Sequence, residues 1–262
     1  VKRRNEAGHL LRILPVLSSG DKVSNGEKGK TMNKTKFYDS IRPHVNLTTQ
    51  NVLGMDKVLD FVEQKEDNLQ HSAYIIATAW WETAQTMMPV REAYWKDEAW
   101  RKKNFRYYPY YGRGYIQLTW DYNYKKASDY FNVDFVKNPD LVMQTEYALP
   151  ILVVGMNEGW FTGKKLDNYI DDTDENDTEE FKEYKNARRI VNGTDKAETI
   201  AKLAVIFEKG LREAGYGLKP TEKPVQAPPV VSGTPTLPKP QEPSVSFLDA
   251  ILSLLKILFR SK

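Results

Sequence analysis

The chain has 262 residues, a formal net charge of +3, and 40% hydrophobic and 28% charged residues. That length supports one sizeable domain with appendages or two small domains, and so mild a charge does not by itself argue for nucleic acid, so no nucleic-acid partner is expected. Cysteine is absent and His9, His44 and His71 lie far apart, which excludes disulfides and Cys-type zinc sites and assigns each histidine a surface or capping role; no cofactor or metal is expected.

Residues 1–31 open with a basic stretch and "LLRILPVL", but Arg12 and Pro15 interrupt the apolar run. No convincing signal peptide results, and the Gly-, Ser- and Lys-rich remainder reads as a flexible leader. A domain is expected over 32–218. In "TTQNVLGMDKVLDFVEQKED", Val52, Met55, Val58, Leu59 and Val62 recur at helical spacing, with Thr48 or Thr49 as the cap. "NLQHSAYIIATAWWET" is apolar almost all round, which predicts a buried central helix that Pro89 would end. Residues 110–120 alternate as a short hairpin with Gly112 and Gly114 at the turn. "DDTDENDTEEFKE" puts Asp172, Asp174, Asn176 and Glu183 at calcium-loop positions, but Asp177 stands where that loop needs glycine. It reads instead as a solvated acidic loop leading into a helix capped near Asp177 or Thr178. "TEYALPILVVGMNEGWF" and "AETIAKLAVIFEKGLREAG" predict two more core helices, the second ended by Gly215 and Gly217. Residues 219–243 are proline-rich and read as an extended tether. In 244–262, Asp249, Ser253, Lys256 and Arg260 form one polar stripe on an otherwise apolar helix. That helix falls short of the roughly 20 residues that span a bilayer. It is expected to bury its apolar face on the domain, on a partner or in a membrane interface.

Glu82 ends the apolar stretch "AYIIATAWWE" beside Trp80 and Trp81. A carboxyl desolvated by such rings holds its proton to higher pH, as a general acid needs, although a helix-end glutamate also commonly points to water. Glu92 follows in "MMPVREAYW", with Asp97 and Glu98 close behind. Glycoside hydrolysis uses one carboxylic acid to protonate the leaving oxygen and a carboxylate as base or nucleophile. For Glu92 the competing reading is an ion pair with Arg91 or Arg106. Sugars have flat apolar faces ringed by hydroxyls. Tyr110, Tyr111, Tyr115, Trp120, Tyr122 and Tyr124, interleaved with Arg113, Gln117, Thr119 and Asn123, offer rings and hydrogen-bonding groups that suit them. The same composition also suits a tyrosine-rich core or a protein-binding face.

"YYGRGYIQLTWDYNY" (110–124) resembles the signature of glycoside hydrolase family 19, the chitinase and endolysin family with a lysozyme-like α-helical fold. "WWET" is similar to its catalytic-acid segment, with Trp81 in place of histidine, and "ARRIVNG" resembles the downstream segment ending in Asn-Gly. The three stand in the family's order across residues 37–217. The resemblance implies a mainly α, two-lobed domain with a small β-hairpin lining the cleft. It implies that Glu82 is the proton donor, that Thr119 helps hold the attacking water, and that Gln117, Tyr122, Asn123 and Asn192 line the sugar subsites. Tyr111, Arg113 and Trp120 are expected to join them. The spacing of ten residues to Glu92 is that of compact phage and bacterial members, so Glu92 is the expected base, with Asp97 and Glu98 in reserve. Family members invert, which implies carboxyl groups roughly 6.5–9.5 Å apart.

The expected function is a peptidoglycan hydrolase of endolysin type, cleaving β-1,4 bonds of the cell wall. A chitinase, or a non-catalytic wall-binding or virion component, is the alternative. The missing cysteines set the chain apart from secreted plant chitinases. The expected partners are peptidoglycan strands and, through residues 244–262, a membrane surface or a virion protein. The expected location is the host cytoplasm until release to the wall, or the virion.

Overall fold

The computed structural model describes residues 31–217 apart from 172, 174 and 175. The leader over 1–30, the tether over 219–243, the amphipathic stretch over 244–262, and Asp172 and Asp174 of the acidic loop lie outside the described residues.

The described residues are mainly helical, with a two-stranded sheet. Helix α1 (Lys34–Ile41) starts at Asn33, whose side chain accepts from the Lys36 N–H. Helix α2 (Thr49–Lys65) starts at Thr48 with a reciprocal box, Thr48 Oγ1 accepting from Asn51 N and Asn51 Oδ1 from Thr48 N. Two otherwise orphaned N–H groups are satisfied there. Met55, Val58, Leu59 and Val62 of the predicted stripe are fully buried. Helix α3 (Leu69–Glu82) is buried at every position from Gln70 to Trp80, as its all-round apolarity requires.

Helix α8 (Ala197–Ala214) covers α3 and also packs on α1 and on α7 (Asp177–Ala187). Its buried stripe is Ile200, Ala201, Ala204, Phe207 and Leu211. Gly210 permits the close approach to α1: a Cβ there would sit 2.9 Å from Ile41 Cγ2 and 3.0 Å from Phe37 Cδ2. Trp80 meets Phe207 edge-on at 6.0 Å, and Tyr74 stacks on Tyr184 at 5.8 Å. Gly215 ends α8 in the left-handed region, as predicted, at φ 76°. Helix α6 (Thr145–Asn157) supplies the other predicted core segment, and Asn176, one residue before the expected cap, starts α7. None of the described helices is long and apolar enough to cross a membrane.

Two expectations about chain direction are corrected. Helix α3 stops at Glu82, seven residues before Pro89, because Ala84 (φ 50°) and Gln85 (φ 68°) turn left-handed after Thr83. The hairpin turns not at Gly112 and Gly114 but over 115–117, between Arg113 and Leu118, which exchange both backbone hydrogen bonds. Its strand β2 (Arg113–Gly114) pairs antiparallel with β1 (Val90–Arg91), from more than twenty residues upstream. Between α4 (Glu98–Asn104) and α6, α5 (Asp121–Phe131) and a 3-10 turn (Pro139–Met143) complete this region. Asp140 on that turn clamps the sheet, pairing with Arg91 at 2.9 Å and Arg113 at 2.8 Å. Both guanidiniums overcome the effect of burial and hold its carboxyl below the usual range.

His71 is buried, not a surface residue, because it sits in the first turn of the central helix. Its Nδ1 lies 3.6 Å from Glu66 and its Nε2 lies 3.2 Å from the Ile170 carbonyl, with exposed Asp167 at 3.7 Å. Glu66 also accepts from Asn157 and from the Asn68 N–H. Burial opposes charge on both groups, but their mutual contact wins: His71 is raised above 6.5 and Glu66 is lowered below 4.5. A raised histidine stabilises fully below 6.5 and loses that contribution as pH rises through its folded value. A lowered glutamate stabilises above 4.5 and loses it as pH falls through its folded value. The expected result is that His71→Gln lowers Tm more at pH 5.5 than at pH 8.5, measured by thermal unfolding across that range.

Candidate active site

Glu82 sits at the C-terminal end of α3 with its side chain 16% exposed. Its surroundings differ from the expected indole shield. Trp80 turns into the core, 2% exposed, and only Trp81 stays half-buried. The closest charged group is Arg188, whose Nη1 donates to Glu82 Oε1 at 2.7 Å. Arg188 is 1% exposed and is fixed from behind by its Nε, which donates to the Asp195 carbonyl at 2.8 Å. It belongs to the 3-10 turn Arg188–Ile190 inside "ARRIVNG", a segment quoted for its Asn-Gly ending and not for its arginine. The expected surroundings of Glu82, two indole rings, are therefore corrected: a cation from 106 residues away grips one oxygen. The other oxygen, Oε2, has no partner among the described residues.

Glu92 follows β1 and is held by neutral donors. The Tyr107 hydroxyl donates to Oε1 at 2.6 Å and the Gly112 N–H to Oε2 at 2.9 Å. Neither competing ion pair forms. Arg91 goes to Asp140, and Arg106 lies over the Trp120 ring at 5.3 Å. The phenol pays for itself in order: burial and the Glu92 carboxyl both push Tyr107 up, keeping its proton on the donor side of this bond. Gly112 is glycine because of this packing, since a Cβ would lie 2.7 Å from Gln117 Oε1 and 3.3 Å from Glu92 Oε2.

The reserve carboxylates are occupied elsewhere. Asp97 caps α4 by accepting from the Trp100 N–H, and Glu98 takes Arg101 and the Tyr111 hydroxyl. Around Glu92 the hairpin brings several expected residues together. Gln117 donates to the Val90 and Gly114 carbonyls, and the Thr119 hydroxyl donates to the Gln117 carbonyl at 2.8 Å. With its proton committed, Thr119 Oγ1 keeps lone pairs free to accept. Trp120 contacts Tyr107 at 5.1 Å and stacks on Tyr122, which is 58% exposed.

Other expected sugar contacts are corrected to scaffold. Tyr111 is fully buried under the Arg113 guanidinium, 3.6 Å from its ring centre, and Arg113 is itself buried by Asp140 and the Pro109 carbonyl. Asn123 is buried too and donates to the Thr119 carbonyl, so it braces Thr119. Its Oδ1 has no partner among the described residues. Alternation along a strand cannot tell a ring that faces a groove from one that fills the interior, and here the interior takes Tyr111, Tyr115 and Tyr124. Asn192 is exposed and bonds through its backbone N–H to the Arg188 carbonyl.

Backbone conformation marks the same region. Eight non-glycine residues among those described have positive φ, and six of them (Ala84, Gln85, Met87, Ala93, Gln117 and Trp120) flank Glu82, Glu92 or the hairpin. Such conformations cost about 1–3 kcal/mol each and concentrate at functional sites.

The described domain thus presents two carboxyl groups, one gripped by a buried cation and one by neutral donors, the latter beside stacked rings. Residues 73–153, from α3 to α6, match the family model described as chitinase class I. The stretch contains Glu82, Glu92 and the whole hairpin, while Arg188 and Asn192 lie beyond it. Chitinase 11 of Oryza sativa subsp. japonica is 65% identical over 34 residues, 13% of each chain. Inactive chitinase-like protein 1 of Hevea brasiliensis is 54% identical over 33 residues, 13% of this chain and 10% of that one. These matches span about an eighth or less of the relatives' length. The crystal structure of chitinase C from Streptomyces griseus HUT6037 aligns with 75% of this chain and 81% of its own, at 21% identity and a TM-score of 0.44.

Proposed function

We propose that the chain is a glycosidase that cleaves β-1,4 bonds between N-acetylated amino sugars with inversion. The observation that carries this is the difference between the two carboxyl groups. Glu82 keeps one oxygen without a partner among the described residues, where a transferable proton can face a leaving-group oxygen. When that proton leaves, the charge left on Glu82 forms beside the fixed Arg188 guanidinium, the preorganised stabilisation that lowers a barrier most. Glu92 has donors on both oxygens and no cation paired with it among the described residues, so it acts as the acceptor-only group, the base that takes a proton from water. Thr119 accepts from that water and turns its lone pair toward the anomeric carbon.

The substrate class is the one shared by chitin and peptidoglycan. The names of the similar proteins support chitin, and the absence of cysteine supports the bacterial-wall reading. Digestion of N-acetylglucosamine oligomers and of purified sacculi, followed by proton NMR of the first product, tests both points. The expected product is the α-anomer from one of the two polymers. Intact polymers, or a β-anomer formed first, would reject the proposal. A second reading has its own support: Glu82 lies in an ion pair, and one relative carries the word inactive in its name. That reading, a glycan-binding protein without turnover, predicts binding to both oligomers and sacculi with no new reducing ends.

A further inference from the structure

We propose that Tyr94 and Trp95 form an outlying stacking subsite for a sugar ring of the same glycan strand, away from the bond that is cut. The inference rests on the glycosidase reading above. These are the two most exposed large aromatic side chains among the described residues, 61% and 69%. Their rings meet edge-to-face at 5.1 Å and 87°, so each braces the other while a flat face stays open.

Their projection is built into the fold. Ala93 turns the chain at φ 48°, and the Lys96 N–H closes the turn on the Ala93 carbonyl at 2.9 Å. Arg101 of α4, 5% exposed, holds this turn from beneath. Its Nε donates to the Glu92 carbonyl and its Nη2 to the Ala93 carbonyl, both at 3.0 Å, while Nη1 pairs with Glu98. A buried cation spent on two loop carbonyls fixes Tyr94 and Trp95 relative to Glu92. Two side chains held out in water before the ligand arrives lose little entropy on binding it.

The occupant follows from continuity. Glu92 lies three residues before Trp95, within about 11 Å of chain, so a polymer lying across Glu92 passes these rings a few sugar units on. Tyr107 touches Glu92 directly and leads through Trp120 to Tyr122, so rings accompany the carboxyl both at contact range and farther out. Such a subsite selects for chain length and leaves the chemical step untouched.

Binding in the Glu82→Gln background, which removes turnover, tests this by intrinsic fluorescence or calorimetry with a trimer and a hexamer of β-1,4-linked N-acetylglucosamine. Trp95→Ala and Tyr94→Ala are expected to raise the hexamer Kd about tenfold, a hot-spot effect, while the trimer Kd moves less than twofold. Trp95→Phe is expected to keep most of the hexamer affinity, and Tm is expected to be unchanged because both rings are exposed. Equal hexamer affinity in parent and alanine variants, or an equal loss for both lengths, would overturn the subsite and leave the glycosidase reading standing. A parent that binds neither oligomer would overturn the subsite, while the digestion of sacculi still decides the glycosidase reading.

Discussion

Glu82→Gln is expected to lower kcat by about 10²- to 10⁴-fold, the range for loss of a general acid, with KM within a few-fold of the parent. Glutamine is nearly isosteric, and its Oε1 can still accept from Arg188 Nη1, now at 2.7 Å from the carboxylate. The wall around residue 82 is therefore kept while the transferable proton is lost. An interaction made only in the transition state shows itself in this way, by a fall in kcat and kcat/KM together. Oligomer hydrolysis followed by reducing-end release gives both constants, and circular dichroism establishes that the variant is folded. A kcat within threefold of the parent would remove Glu82 from the mechanism. An activated leaving group, such as a nitrophenyl glycoside, needs less help from an acid, so the defect should shrink on that substrate.

The carboxyl at the centre of this prediction was legible in the sequence, and its partner was not. Helical periodicity marks α2, α3, α6 and α8 because each buries a face whose apolar spacing is local information. Glu82 stands out for the same reason, as an acidic group ending the helix that is apolar almost all round. Arg188 reaches it only when α7 and α8 fold against α3, and no window of sequence contains that contact. The available signal was chemical: "ARRIVNG" carries two arginines next to a buried isoleucine, and a turn packed in the interior must give one of them an acidic partner. Tyr107 was missed because it lies just before the stretch that drew attention, although it is the ring that binds Glu92. The hairpin was read one step wrong for a different reason. Glycines at 112 and 114 suggest a turn, whereas Gly112 serves a close approach between Gln117 and Glu92. Close packing across a site and flexibility at a turn leave the same residue in the sequence.

Arg188→Met separates the structural from the chemical contribution of that buried cation. The Arg188 side chain is 2% exposed, its guanidinium fixed to the Asp195 carbonyl and bonded to Glu82. Methionine fills much of the same volume without charge, so the packing loss is small. Removing one partner of a buried pair costs about 3–5 kcal/mol, and the 16% exposure of Glu82 lets water recover part of that, so a loss near 3 kcal/mol is expected by urea unfolding. Replacing both partners should cost less than the sum of the single changes, because the double variant Glu82→Gln/Arg188→Met leaves no unpaired charge. A coupling of about 1 kcal/mol or more across the four proteins is the expected result. Strict additivity would mean that the contact contributes nothing. On the chemical side, kcat should fall about 10²- to 10³-fold, as when one preorganised donor beside a developing charge is removed. KM should hardly move, since a side chain this deeply buried does not reach the glycan. If KM rises while kcat is kept, Arg188 shapes the binding groove and gives no help to the charge that forms on Glu82.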